Sequence, residues 1–328
     1  MIPGNILVIG ACGQIGVELT LSLRKKYGNE KVIAADISQA AHPLIADSGK
    51  YIRFDATDID LLRAWVIREN ISEIYLLAAM LSATGEQNPE AAWNLNMKSL
   101  LNTLEIAKDQ QLQKIFWPSS IAVFGGSPKE NCPQKTTMTP STVYGISKLA
   151  GENWCNYYHS RYGVDVRSIR YPGLISWKAI PGGGTTDYAI DIFHKAAKDG
   201  VYNCYLKHNT RLPMLYMDDA IRATLELMEA AAPKITIRTS YNIAGVSFTP
   251  AELALAIQRH IPDFTMRYDP DFRQAIADSW PGSIDDSVAQ THWGWKPEFD
   301  LKRIARYMHA HIHGLYPLRI KQHELAID

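Results

Sequence analysis

The hydrophobic pattern along the first half of the chain keeps changing period. Short apolar runs at residues 5–10, 31–36, 51–55, 73–77, 114–118 and 165–170 have the length and branching of buried strands. Between them come longer stretches whose apolar positions repeat every three to four residues. Over residues 14–27, Ile15, Leu19 and Leu23 share one stripe. Further helices are predicted over 61–69, 88–109 and 143–162. The second of these starts on Asn88-Pro89-Glu90: an N-cap residue, a proline at the first helical position and an acid in the first turn. Strands alternating with helices predict a parallel sheet covered on both faces, because each crossover lays a helix on the sheet.

The second half is less regular. Pro181-Gly-Gly-Gly-Thr-Thr186 predicts a flexible loop before a helix over 187–199. A strand at 215–217 and a helix at 218–229 follow, and Thr249-Pro250-Ala-Glu252 carries the signature of a capped helix start. Residues 317–328 are polar and expected to fray. The expected architecture is α/β. A doubly wound parallel-sheet Rossmann domain takes residues 1–172 plus about 213–244, and a smaller mixed α/β C-terminal substrate lobe takes about 173–212 plus 245–315, with a polar tail at 316–328.

Composition narrows the class. At 328 residues the chain is long enough for a large domain and an appended lobe. Lys+Arg and Asp+Glu both total 34, so no basic excess draws in nucleic acid or a membrane surface. The apolar stretch at 5–10 is too short to span a bilayer and lacks a charged leader before it, and the glycine motif follows at once; a cytoplasmic protein is the expectation. Cys12, Cys132, Cys155 and Cys204 form no CxxC pair, which points to free thiols and no structural metal. His309 and His313 are spaced to chelate, but a helix C-terminus favours histidines without any metal, and none is expected.

Candidate chemistry begins at Gly10-Ala-Cys-Gly13-Gln14-Ile15-Gly16. It follows a strand and opens a helix. Gly10 permits the tight turn, Gly13 lets the backbone approach a pyrophosphate, and Gly16 lets helix and sheet pack closely. Asp36 ends the next strand 20 residues after Gly16, placed to accept from ribose hydroxyls and to repel a 2′-phosphate. No Arg or Lys follows at Ile37 or Ser38, so NAD is favoured over NADP. Tyr144-Gly-Ile-Ser-Lys148 places a phenol and an ammonium one helical turn apart, where the cation is expected to lower the phenol's pKa and make it a proton acceptor. The spacing alone is cheap, since Tyr27 and Lys31 repeat it. Position separates them: Tyr144 follows the fifth strand, on the carboxyl edge of the sheet where a cofactor sits. Of Ser119 and Ser120, Ser120 is the better candidate to hydrogen-bond the reacting oxygen.

Taken together, these residues resemble the extended short-chain dehydrogenase/reductase superfamily over nearly the whole chain. Gly10–Gly16, Asp36, Asp55-Ala56, Leu77-Ala78-Ala79, Asn96, Ser120, Tyr144, Lys148 and Arg170-Tyr171-Pro172 fall in family order, as do Tyr216-Met-Asp218-Asp219 and Trp293-Gly-Trp295-Lys-Pro297. Within the superfamily the chain looks like the short-chain type of L-threonine 3-dehydrogenase. Ala78-Ala-Met-Leu-Ser-Ala-Thr-Gly-Glu86, Pro118–Gly125, Pro181–Ala189 and Leu212–Asp219 carry that likeness. The resemblance implies oxidation of L-threonine at its C3 hydroxyl by NAD, without metal, in a homodimer built on the helices over 88–109 and 143–162. It implies cofactor contacts at Gly10, Gly13, Gln14, Ile15, Gly16, Asp36, Asp55, Ala56, Leu77, Ala78, Ala79, Asn96, Tyr144, Lys148 and Tyr171. Substrate contacts would fall on Ser82, Ser120, Tyr144 and Thr186. Physical reading of the pocket adds three expectations. Thr186 at a helix N-terminus suits a carboxylate, Asp187 suits the substrate's ammonium, and Trp280 is either a lid anchor from the small lobe or a core or interface side chain. Glycines 182–184 suggest a mobile gate. The rival readings are a nucleotide-sugar epimerase or dehydratase on the same fold and a non-catalytic NAD-sensing protein.

Overall fold

The computed structural model describes residues 4–126, 129–178 and 182–316, so Pro181 and the tail at 317–328 lie outside the described residues. The strands in chain order are β1 (Asn5–Ile9), β2 (Val32–Asp36), β3 (Tyr51–Arg53), β4 (Ile71–Leu76), β5 (Lys114–Phe116), β6 (Ser119–Ser120) and β7 (Val166–Arg167). They continue with β8 (Ile169–Tyr171), β9 (Gly173–Ile175), β10 (Val201–Cys204), β11 (Leu212–Tyr216), β12 (Tyr241–Asn242), β13 (Val246–Phe248) and β14 (Thr265–Tyr268). The helices are α1 (Gln14–Tyr27), α2 (Pro43–Ala46), α3 (Ile59–Arg68), α4 (Ser82–Gln87), α5 (Pro89–Asp109) and α6 (Val143–Tyr162). Beyond them lie α7 (Tyr188–Asp199), α8 (Met217–Glu229), α9 (Pro250–Gln258), α10 (Arg273–Asp278), α11 (Ser287–Trp293) and α12 (Leu301–Ile312).

The main sheet runs β3-β2-β1-β4-β5-β7, all parallel, the doubly wound order of a Rossmann fold. Alternation along β1 explains the two layers. Ile6 and Val8 point to the face packed with Leu19 and Leu23 of α1 and Ile221 and Leu227 of α8. Leu7 and Ile9 point to the opposite face, with Leu62 of α3, Leu100 and Leu104 of α5 and Cys155 of α6. Apolar residues fill both faces, which is why the strand reads as a continuous run.

The fifth and sixth predicted strands are each split. Pro118 has no N–H to donate and interrupts the ladder between β5 and β6. The expected strand over 165–170 breaks at Ser168, whose carbonyl accepts from Tyr241 N. The second pieces form a separate three-stranded ladder, β12-β8-β6, and swing Ser119 and Ser120 out at the carboxyl edge. Helix α6 lies close behind this edge. A Cβ at Gly151 would sit 2.4 Å from the Trp117 ring, so only glycine allows that approach.

The remaining strands form β13-β11-β9 and a β10-β14 pair. They surround a third core that includes Phe193, Phe248, Leu253, Phe264 and Trp280. The strand expected at 215–217 begins earlier, at Leu212, and α8 follows from Met217. Thr249 and Glu252 make the full capping box the sequence proposes for α9. Among the described residues no helix is long and apolar enough to cross a membrane, and all four cysteines are free. His309 packs between His260 and His313, with ring centroids at 5.1 and 4.9 Å.

Candidate functional site

A cleft of about 350 Å³ opens at the carboxyl edge of the sheet, within the size range of small-molecule sites. Gly10, Gly13, Gln14, Ile15 and Gly16 line one end. Gly10 has φ +85°, and a Cβ there would meet Ala78 N at 2.6 Å. A Cβ on Gly16 would lie 2.1 Å from Gly10 O, so the helix start rests directly on the turn. Gly13 is different: its nearest obstacle is Gly10 O at 3.4 Å, an ordinary contact. The protein itself does not require glycine at 13, which leaves close approach of a ligand as the physical reason. No side chain caps the first turn of α1, and the buried Gln14 Nε2 has no hydrogen-bond partner. Open helix-start amides and an unsatisfied amide donor suit the pyrophosphate of a dinucleotide.

Asp36 turns into this loop. Its Oδ2 accepts from Cys12 N at 2.9 Å and its Oδ1 from Ser38 N and Oγ at 3.0 and 2.9 Å. Asp55 and Ala56 lie just beyond β3, tied to the end of β2 through Phe54 N and Asp36 O. Neither lines the cleft: Asp55 Oδ1 accepts from Thr57 N and Oγ1, and Ala56 O accepts from Asn102. Leu77 and Ala79 line the cleft, while Ala78 is the residue on which Gly10 packs. Asn96 sits away from it. Its Oδ1 accepts from Met80 N at 2.8 Å and its Nδ2 donates to Met80 O and Ser147 Oγ, so it clamps the loop after β4 to α6. Tyr171 lines the wall, but its hydroxyl turns away to pair with Thr224.

At the middle of the cleft, Ser120 and Tyr144 both line the wall, and Ser120 Oγ accepts from Ala122 N at 3.2 Å. Burial pushes the Tyr144 phenol up to about 12, and the neighbouring Ser120 hydroxyl draws it part of the way back. Lys148 is 2% exposed; its Nζ donates to Pro118 O at 2.6 Å and lies 4.5 Å above the Trp117 ring. Burial pushes the ammonium down to about 7, against the pull of Cys155 and Glu152. The expected lowering of Tyr144 by Lys148 is therefore corrected. The Nζ is 5.6 Å from the Tyr144 ring centroid and bonded elsewhere, and desolvation outweighs their attraction. Ser119 is spent on Glu152 at 2.6 Å, which leaves Ser120 as the hydroxyl toward Tyr144.

The far wall comes from α4 and the glycine loop. Ser82 Oγ pairs with Thr185 Oγ1 at 3.0 Å and accepts from Thr185 N at 3.3 Å. Thr186 lines the cleft one residue before Asp187, the N-cap of α7. Asp187 Oδ2 accepts from Gly183 N at 3.0 Å and Gly184 N at 2.7 Å, so a carboxylate already fills the amide-rich turn and a second anion there is repelled. Those bonds use Oδ2, and the side chain lines the cleft. Burial pushes this carboxyl up to about 6. Trp280 reaches the cleft from the small lobe at 6% exposure, with a buried Nε1 that has no partner.

Sequence reasoning missed Thr185, Leu81 and Pro172 among the lining residues. For Thr185 the signal was present in Thr185-Thr186, but its direction depends on where α7 begins. For Leu81 and Pro172 no local signal exists, because two loops distant in sequence bring them together.

The sequence profile of the NAD dependent epimerase/dehydratase family matches residues 6–244. An uncharacterized epimerase/dehydratase of Staphylococcus haemolyticus is 45% identical over 306 residues, 93% of this chain and 96% of that protein. The holo structure of a GalE-like L-threonine dehydrogenase from Cupriavidus necator superposes with a TM-score of 0.90 at 57% identity, over 93% of this chain and 99% of that one. A metagenomic protein described as a monomeric L-threonine 3-dehydrogenase superposes at 0.92 with 47% identity, over 95% and 100%. With a glycine-turn cradle, an acid at the end of β2 and a Ser–Tyr–Lys group on one cleft, this chain belongs to the NAD-dependent epimerase/dehydratase family.

Proposed function

We propose that the chain oxidises the C3 hydroxyl of L-threonine to 2-amino-3-ketobutyrate, reducing NAD to NADH and releasing a proton. The observation that carries the reading is the meeting of Ser120 and Tyr144 with the Ser82–Thr185 pair in one small cleft. Likeness to the threonine dehydrogenases of Cupriavidus necator and the metagenomic source supports the substrate. Gly13, Gln14 and the start of α1 would hold the pyrophosphate of NAD, and Asp36 would accept from the adenosine ribose and disfavour NADP. The bound nicotinamide supplies the acceptor for the C3 hydride. Ser120 donates to the reacting oxygen, Tyr144 takes its proton as the C–H bond breaks, and Lys148 holds positive charge behind the phenol. The Ser82–Thr185 pair has one hydroxyl proton left to donate to the substrate carboxylate, and Trp280 Nε1 adds a second donor. This assigns to Thr185 the role expected of Thr186.

A nucleotide-sugar substrate fits less well. Among the described lining residues Lys148 is the one Lys or Arg, and it is buried against Pro118 O. A second diphosphate has no cation to meet there. The long helices α5 and α6 leave Trp93, Ile146, Trp154 and Tyr157 exposed, which supports a homodimer through that face.

The test is NADH production followed at 340 nm on a panel of substrates. L-threonine is expected to reduce NAD; D-threonine and UDP-galactose are expected to give none. Absence of NADH from L-threonine between neutral and alkaline pH would overturn the assignment.

A further inference from the structure

Tyr144 and Lys148 continue along α6 to a third residue on the same face. Glu152 lies four residues beyond Lys148, so the three side chains are stacked turn over turn. Glu152 is fully buried, and Lys148 and Arg170 are 2% exposed. A buried carboxylate persists only if its lone pairs are used, and here they are. Oε1 accepts from Arg170 Nε at 2.8 Å and from Ser119 Oγ at 2.6 Å, and Oε2 accepts from Arg170 Nη2 at 2.7 Å. Arg170 Nη1 donates onward to Gln134 O and Asn242 Oδ1, both at 3.0 Å.

Two cations and one carboxylate therefore share this part of the core. Of the other groups facing Lys148, Cys155 on the same helix also favours the ammonium, but burial raises its own thiol so that it is neutral near pH 7. The β5–β6 edge presents the Trp117 ring, the Pro118 carbonyl and the hydroxyls of Ser119 and Ser120. Helix α5 contributes the uncharged Asn96, through Ser147, and β8 contributes Arg170 itself. Arg170 cannot give up its proton in a protein. If the Glu152 charge is lost, Lys148 is the cation that must yield.

We propose that Glu152 is a positioning residue that keeps Lys148 charged behind Tyr144 and, through Ser119, holds the strand that presents Ser120 to the phenol. The inference rests on Tyr144 and Lys148 acting as described under the proposed function. A residue that merely supports the fold would lower activity equally at every pH. One that sets the charge of Lys148 moves a titration.

The experiment is an NMR titration of Lys148 Nζ in ¹⁵N-lysine-labelled enzyme, with the signal identified by its loss in Lys148→Arg. In Glu152→Gln, Lys148 is expected to titrate about one pH unit lower than in the wild type. In Glu152→Asp, which keeps the charge, it stays near the wild-type value. In Arg170→Gln, which removes a competing cation, it moves upward by about one unit. With L-threonine and NAD, kcat/KM of Glu152→Gln falls about tenfold further above the Lys148 midpoint than below it. An unmoved Lys148 titration in folded Glu152→Gln, or an Asp variant shifted as far as the Gln variant, overturns the proposal. If Glu152→Gln does not fold, a downward or absent shift in Arg170→Gln overturns it equally. The titration needs no substrate, so inactivity toward L-threonine would sink the proposed reaction and leave this result standing on its own.

Discussion

In the proposed reaction Tyr144 is the proton acceptor, and its environment sets a demanding condition. Burial holds its phenol near 12, so the proton acceptor forms only with help from the groups around it. Tyr144→Phe keeps the ring packing and removes the acceptor. Turnover should fall by about 10²–10⁴-fold while NAD still binds, as measured by steady-state kinetics and fluorescence titration. Retained turnover would remove Tyr144 from the mechanism. Gly13 offers a second test of opposite kind. Because a Cβ there meets nothing closer than 3.4 Å within the protein, Gly13→Ala should leave thermal stability nearly unchanged. It should weaken NAD binding on the order of tenfold or more, about 1.4 kcal/mol. A variant that loses stability and keeps its affinity would show that the glycine serves the fold.

Among the elements, the glycine loop and the start of α7 behave as one unit held by Asp187. Its carboxyl is raised from 3.8 to about 6 because burial disfavours the charge, even though the Gly184 and Gly183 amides favour it. The folded protein thus binds this proton more tightly than the unfolded chain. The contribution is full below pH 3.8, and stability is lost as pH rises through about 6. Asp187→Asn does not titrate, and its one amide oxygen can replace Oδ2, which alone accepts both loop amides. The difference in Tm, variant minus wild type, should therefore climb between pH 4 and 6 and then level off, by about 2–4 °C. A difference that stays flat with pH would show that Asp187 titrates normally in the folded protein.

For the whole molecule, the exposed aromatic face of α5 and α6 bears on assembly. Trp154 and Tyr157 contact each other edge-to-face, with centroids at 5.7 Å, on a surface that a second copy would cover. Analytical ultracentrifugation should give twice the chain mass of 36.8 kDa, and replacing both residues by Arg should return the monomer. A monomeric wild type would place this chain with the metagenomic relative and refute the proposed dimer.

Periodicity, turn residues and caps were enough to specify the parallel sheet, the boundaries of α1 and α6, the Gly10–Gly16 turn and the capping box at Thr249, because each is dictated by neighbours a few residues apart. The glycine-turn end of the cleft was legible for the same reason: a glycine turn and an acid ending the next strand are local signals. The opposite wall was not. Which of Thr185 and Thr186 faces Ser82, and that Asp187 turns back on its own loop, depends on the residue where α7 starts and on contact with α4 a hundred positions earlier. Nor does sequence place Asn96: folding delivers it to Met80 and Ser147. The charge states of Tyr144 and Lys148 were also beyond the sequence, which supplies a phenol and an ammonium at the right spacing. Only burial against Trp117, Pro118 and the Glu152–Arg170 pair decides how readily each holds its proton, since desolvation exists only once distant segments have packed.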